Sequence, residues 1–351
     1  MGWRAKRLVL HIGAPRTGTS ALQIWMRRNR AVLGARGVLY PEISGNAFVA
    51  AMAPVWPVDV AQRLQGLTGW RQVRALRRDV AAALRREVDA VQPETIFVSA
   101  EQFFDRLDRP AVRRRLHRLL SPLADRVDIL LYLRRQDQAI FSRHWNSVRL
   151  GRRGAFVAPG RLLPEYDYER RVRPWARLFG EHAIIVCPFE RVRLPGGSIV
   201  ADVLARLGVD PALAADAGEK NASLDLVRAE FLQRITAHLG RTDQMGNFRD
   251  DLNWSIDQVT GDWPSATLPA RDARVILGLY EAANARLAAR WGEGGAFFDM
   301  TVSEDIRGGA EGDAALDIDD VIEIAAQLWI RKTEQVRKLR SRVRTRKDRR
   351  S

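Results

Sequence analysis

Short, continuous apolar runs alternate along the chain with longer stretches in which apolar residues recur every three or four positions. The runs are RLVLHIG (7–13), TIFVSAE (95–101), VDILLYL (127–133) and HAIIVCPF (182–189), with a weaker one at GVLYP (37–41). They are rich in Val, Ile and Leu and lack polar alternation, the pattern of strands buried on both faces. Between them lie helical patterns. SALQIWMRRNRAVLGARG (20–37) places Leu22, Trp25, Met26, Val32 and Leu33 on one side and stops at a glycine. GWRQVRALRRDVAAALRREVDAV (69–91) does the same with Val73, Leu76, Val80, Leu84 and Val88.

This order predicts an α/β fold: a mostly parallel central sheet flanked by helices in three layers, as in P-loop proteins. After about residue 200 the strand pattern stops, and helical segments at 223–240, 270–292 and 317–336 follow. No linker rich in Gly, Ser and Pro precedes them. The expected division is therefore one α/β domain with helical additions over 1–316, then a C-terminal helix and basic tail over 317–351. The stretch 240–270 is irregular and reads as a substrate-side loop.

Composition narrows the class. The 351 residues are 46% hydrophobic and 28% charged, ordinary for a soluble protein, and no apolar run is long enough to span a bilayer. The start, MGWRAKRLVLHIG, has no cleavage-site pattern, and Lys6 stands where a myristoylation signal needs a hydroxyl. Cys187 is the one cysteine, so no internal disulfide forms, and a cytoplasmic location is expected. The net charge is +15, much of it in RKTEQVRKLRSRVRTRKDRR (331–350). That stretch has no interleaved aromatics and matches no nucleic-acid motif, so nucleic acid is not the expected partner. It reads as a solvated helix end, or as a segment making peripheral contact with an acidic surface.

The candidate chemistry begins where the first strand runs into Gly13. GAPRTGTS (13–20) followed by a helical pattern is an anion site on physical grounds: Gly13 and Gly18 let the backbone bend, and helix N–H groups point at the ligand. Thr17, Thr19 and Ser20 add hydroxyls, and Arg16 adds a permanent charge. The spacing matches the start of a Walker A loop, but Thr19 occupies the lysine position and the cation has moved forward to Arg16. ATP-dependent chemistry is thereby disfavoured.

PRTGTS resembles the P-K-[ST]-G-T-[ST] loop of sulfotransferases that use 3′-phosphoadenosine 5′-phosphosulfate (PAPS), and LHIGAPRTGTSALQ (10–23) is similar to the first motif of bacterial members. The resemblance implies that this loop holds the 5′-phosphosulfate, with Arg16 where the family has lysine. Arginine keeps the charge that stabilises a leaving phosphate but does not give up a proton. The family's second signature is a strand ending in an arginine, with a serine on the following helix, gripping the 3′-phosphate. ILLYLRRQDQAIFS matches it, with Arg134 at the strand end and Ser142 eight residues on. Arg135 is the rival arginine, and a helix-start salt-bridge cluster is the plain alternative. IIVCPFERV resembles the family strand ending in an aromatic–acid pair, which makes Phe189 a candidate for stacking on adenine or, equally, a core phenylalanine. YERRVRPWARLFGEHAIIV, NASL and the Asn284 region are similar to later segments of the bacterial subgroup, whereas the glycine-rich R-K-G segment of animal members is not visible.

Sulfuryl transfer needs cations around the donor and a base at the acceptor proton, but no metal, and no metal-ligand spacing is present. Glu101, at the end of a buried strand, is the candidate base; the alternative is a helix cap or an ion-pair partner. His11 reads as a core histidine rather than a base, His144 can face either way, and Arg152 and Arg153 read as a solvated basic turn, the alternative being attraction of an anionic acceptor. The expected activity is PAPS-dependent sulfuryl transfer to a hydroxyl, on a carbohydrate or glycolipid. Two alternatives stand beside it: a PAPS- or PAP-binding scaffold that has lost catalysis, and a kinase with a degenerate P-loop.

Overall fold

The computed structural model describes residues 2–53, 62, 66–149, 156–215, 226–239, 252, 255–261, 263, 267–292, 294–302 and 317–348. Arg152, Arg153, NASL (221–224) and most of the stretch 240–270 lie outside these residues.

Each apolar run of the sequence forms a strand: β1 (Ala5–Ile12), β2 (Val38–Leu39), β3 (Thr95–Ala100), β4 (Ala124–Leu133) and β5 (Ile184–Pro188). They make one five-stranded sheet in the order β2-β3-β1-β4-β5, and every pair is parallel. The reason is burial. Leu8, Leu10 and Ile12 are fully buried on one face of β1, and Val9 and His11 are buried on the other. Every fully buried Leu or Ile contributes roughly 1.5–3 kcal/mol relative to exposure, so neither face of such a strand can be left to solvent.

The helices, in chain order, are α1 (Thr19–Arg28), α2 (Arg30–Gly34), α3 (Gly45–Met52), α4 (Trp70–Val91), α5 (Gln102–Arg106), α6 (Pro110–Leu120), α7 (Gln136–Arg149), α8 (Tyr168–Phe179), α9 (Ile199–Arg206), α10 (Leu226–Leu239), α11 (Ala270–Trp291) and α12 (Ile318–Asp348). The sequence pattern at 20–37 predicts one helix, but the chain breaks it at Asn29. There the backbone leaves helical geometry and the Asn29 side-chain amide donates to the Trp25 carbonyl at 2.9 Å, a local bond that competes with the helix. Leu22, Trp25 and Met26 of α1 meet Ile199, Val203 and Leu204 of α9 over Val9, Phe97, Leu130 and Tyr132 of the sheet. α3 packs on β3, and α8 on β4.

The chain divides into two compact units. The first comprises Met1–Ala139, Pro159–Lys220 and Val275–Thr301, and contains the whole sheet. The second comprises Ile140–Ala158, Asn221–Arg274 and Val302–Ser351. Its core gathers Val227, Phe231 and Leu232 of α10 with Leu252, Ile256, Val259 and Ile324, and Trp145 packs against it.

Strand order decides where a ligand can sit. β1 connects towards β2 on one side and β4 towards β5 on the other, so their adjacent C-terminal ends diverge and leave a crevice, the usual ligand position in open parallel sheets.

Candidate functional site

Four strand exits meet at that edge. Ile12 pairs with Ala100, and the Gly13 N–H continues the ladder to the Ala100 carbonyl at 3.3 Å, setting the loop after β1 beside Glu101. Leu133 pairs with Pro188, and the Phe189 N–H bonds the Leu133 carbonyl at 2.6 Å, setting Arg134 beside Phe189.

The loop is closely built. A Cβ at Gly13 would lie 2.6 Å from Thr19 Oγ1 and 3.2 Å from the Glu101 Cα, so only glycine lets the two strand exits and α1 approach this closely. Arg16 (φ 67°) and Gly18 (φ 74°) are both left-handed, the backbone curl from which anion-binding nests are made. For arginine this conformation costs on the order of 1 kcal/mol. The buried Thr17 hydroxyl donates to the Ala14 carbonyl at 2.7 Å, so its proton is committed to the loop itself. Gly18 caps α1 without a side-chain bond, and its carbonyl first accepts from Leu22 at 3.1 Å. The N–H groups of the first turn and the positive end of the helix dipole thus face the crevice.

Thr19 Oγ1 is buried and has no hydrogen-bond partner. Leaving such a hydroxyl unpaired costs about 1–3 kcal/mol, a penalty that a bound oxyanion would remove. This orphaned donor, the glycine approach beneath it and the uncapped helix turn together fit a phosphate-like group. Ser20, next on the helix, is exposed.

Arg134 is half-buried, and its Nε donates to Gln138 Oε1 at 3.3 Å. Burial and the neighbouring guanidinium of Arg16 press its pKa downward; Asp137 and Tyr168 oppose this, and Arg191 adds to the downward push. Three arginines therefore share one field, a mutual repulsion that an anion would relieve. The Tyr168 hydroxyl donates to the Arg134 carbonyl at 2.7 Å and fixes the strand exit. Arg135, the rival from sequence, is committed elsewhere: its guanidinium makes two 2.9 Å bonds to the Asp137 carboxylate and bonds the carbonyls of Asp299 and Thr301. Ser142 lies further along α7, in the second unit, so the two members of the sequence pair belong to different units.

The Phe189 ring edge lies 3.5 Å from where a Gly18 Cβ would be, and Ile199 Cγ2 lies 3.2 Å from that point. The segment between them is thus anchored to the loop at both ends, and Arg191 stands on it. Arg191 escaped sequence reasoning, although its place two residues after Phe189 was a usable signal. Glu190, the acid of the aromatic–acid pair, braces this segment: it accepts from the Asp299 N–H at 2.8 Å and pairs with Arg193 at 3.1 Å.

Glu101 is partly buried at the end of β3. Burial raises its carboxyl pKa above the usual range, the Arg16 charge pulls it down, and Asp105 pushes it up again. A carboxylate so placed can take a proton near neutral pH.

His11, two residues before the loop, is a core residue. Its Nδ1 lies 2.9 Å from Ser99 Oγ, its Nε2 is buried without a partner, and burial lowers its pKa to about 3. The folded state therefore refuses a proton that the unfolded chain accepts near 6.5. The stability due to neutral His11 is complete above pH 6.5 and is lost as pH falls from there towards 3, by about 1.4 kcal/mol per unit. His11→Gln should flatten the dependence of melting temperature on pH in this window; an unchanged slope would mean that another group sets it. His144 stacks edge-on with Trp145 and Phe156, and burial lowers its pKa too.

Among the described residues, no group of three or more His, Cys, Asp or Glu is arranged to hold a metal, and no helix is long and apolar enough to cross a membrane. Among solved structures, the chain is similar to the crystal structure of a sulfotransferase from Alicyclobacillus acidocaldarius, with 18% identity and a TM-score of 0.41 over 68% of this chain and 92% of that one. No family model matches the sequence, and no curated protein matches it.

Proposed function

We propose that this chain is a sulfotransferase that moves a sulfuryl group from PAPS to a hydroxyl on a carbohydrate or glycolipid. The observation that carries the reading is the meeting, at one sheet switch point, of an orphaned Thr19 hydroxyl on an uncapped helix turn with Arg16, Arg134 and a carboxylate of raised pKa, Glu101. A kinase would place a lysine at position 19, where this chain has threonine.

In this reading the donor supplies an activated sulfuryl group and a leaving phosphate. The Gly13–Ser20 loop binds the 5′-phosphosulfate end through its N–H groups and the Thr19 and Ser20 hydroxyls. Arg134 binds the 3′-phosphate, Arg191 adds positive charge beside it, and Phe189 lies against the adenine. Glu101 takes the acceptor's hydroxyl proton as its oxygen bonds to sulfur and the bond from sulfur to the bridging oxygen breaks. Arg16 stabilises the charge that collects on the leaving phosphate, as electrostatic catalysis requires. Arginine does this without donating a proton, so the leaving group departs as the anion.

A transfer assay tests this directly. Labelled PAPS offered with a panel of glycans, lipids and phenols should yield labelled product on a hydroxyl-bearing glycan or lipid. Nucleotide binding with no transfer to any acceptor would instead indicate a PAP-binding scaffold, and Arg16→Lys would then be the variant in which to look for recovered transfer.

A further inference from the structure

We propose that α12 is a docking surface for an anionic lipid membrane, on which the helix lies flat. The inner side of α12 is fixed in the second unit. Ile324 is fully buried, Val321 and Leu328 pack on the same core, Asp320 accepts from the Trp263 indole at 2.9 Å, and Gln327 exchanges bonds of 3.0 and 2.7 Å with Thr260. The helix is thus already seated, yet a second apolar stripe faces outward. Ile318, Ile322, Trp329 and Val336 recur at intervals of four and seven residues; Ile330, also exposed, lies about 100° round the helix from Trp329, off the stripe. Trp329 is 77% exposed and Ile322 58%. Five of the thirteen large apolar residues exposed among the described residues sit on this one helix, so the exposure is concentrated rather than scattered.

Charge identifies the occupant. Residues 331–348 hold nine Lys or Arg against two carboxylates. Lys332 lies between Trp329 and Val336 along the stripe, and Asp319, Glu323 and Glu334 fall roughly a quarter-turn or more away from it. A parallel second copy would set Lys332 against Lys332 and bring two basic ends together, so self-pairing in that register is opposed. An apolar stripe holding an exposed tryptophan, continued by a basic run, suits a negatively charged lipid interface: the indole and isoleucines enter the headgroup boundary while the cations meet phosphates. This surface stands independently of the sulfuryl-transfer reading.

The test is flotation of the full chain with vesicles. The protein should float with phosphatidylcholine vesicles that contain phosphatidylserine and be released by high salt. With phosphatidylcholine alone it should stay in solution. Trp329→Ser combined with Ile322→Ser should weaken partitioning by about tenfold or more, as should Lys332→Glu combined with Arg337→Glu, with far-UV circular dichroism unchanged in both. Absence of flotation, equal binding to neutral vesicles, or unaffected binding by either double variant would overturn the proposal. So would self-association in sedimentation velocity that Trp329→Ser abolishes, because a second copy would then cover the stripe.

Discussion

Replacing Glu101 by glutamine should lower turnover about a hundredfold or more while leaving affinity for 3′-phosphoadenosine 5′-phosphate within about twofold. The substitution keeps the shape of the side chain at the end of β3 but removes its capacity to take a proton. Positioned general bases contribute about 10²- to 10⁴-fold, so the loss should fall on turnover. The pH profile adds a second readout. Because burial raises the Glu101 pKa, the base is ionised and active above that raised value and is lost as pH falls through it. Turnover should therefore show an acid limb displaced above the ordinary carboxylate range, and Glu101→Gln should remove the limb along with the rate. Unchanged turnover would show that Glu101 only closes the loop against Gly13. A fall in nucleotide affinity matching the fall in rate would point to a binding role instead.

The next largest effect is expected from Arg134→Ala, which should weaken 3′-phosphoadenosine 5′-phosphate binding by about 10- to 100-fold and leave 5′-AMP binding nearly unaltered. A hydrogen bond to a charged partner is worth about 1.5–3 kcal/mol, and that range sets the estimate. The selectivity is the informative part. If Arg134 meets the 3′-phosphate, its loss should be invisible to a nucleotide that lacks this group. Arg191→Ala should show the same selectivity with a smaller loss, since Arg191 is exposed. Arg135→Ala should behave differently: it breaks the Asp137 pair and the bonds to the Asp299 and Thr301 carbonyls, so its effect should appear in melting temperature. Equal loss of both nucleotides in Arg134→Ala would move that residue to the 5′ end of the ligand.

The sheet was legible because its strands are buried on both faces. Such strands announce themselves as unbroken apolar runs, and even the two-residue β2 left a trace at Val38 and Leu39. The loop at 13–20 was legible because glycine spacing and a following helix are local features. What escaped the sequence depends on distant partners. Spacing favours Arg134 over its neighbour Arg135, but the Asp137 pair and carbonyls more than 160 residues away are what engage Arg135, and the string shows neither. Thr17 and Thr19 look alike as well, yet one hydroxyl closes its own loop and the other is left orphaned. The helix break at Asn29 was hidden because a single side-chain bond to a carbonyl decides it. Arg191 comes near Arg134 because Phe189 and Ile199 both press on Gly18, and its place two residues after Phe189 was the only local sign of this.

If the proposed function holds, the crevice at the β1 and β4 exits takes a nucleotide phosphorylated at both its 3′ and 5′ positions. The decisive measurement is calorimetric titration of the native chain with 3′-phosphoadenosine 5′-phosphate, 5′-AMP and ATP with magnesium. The bisphosphate should bind at least about tenfold more tightly than 5′-AMP, consistent with one further charge-assisted contact, and more tightly than ATP with magnesium. Equal affinity for the bisphosphate and 5′-AMP, or preference for ATP with magnesium, would contradict the proposed function.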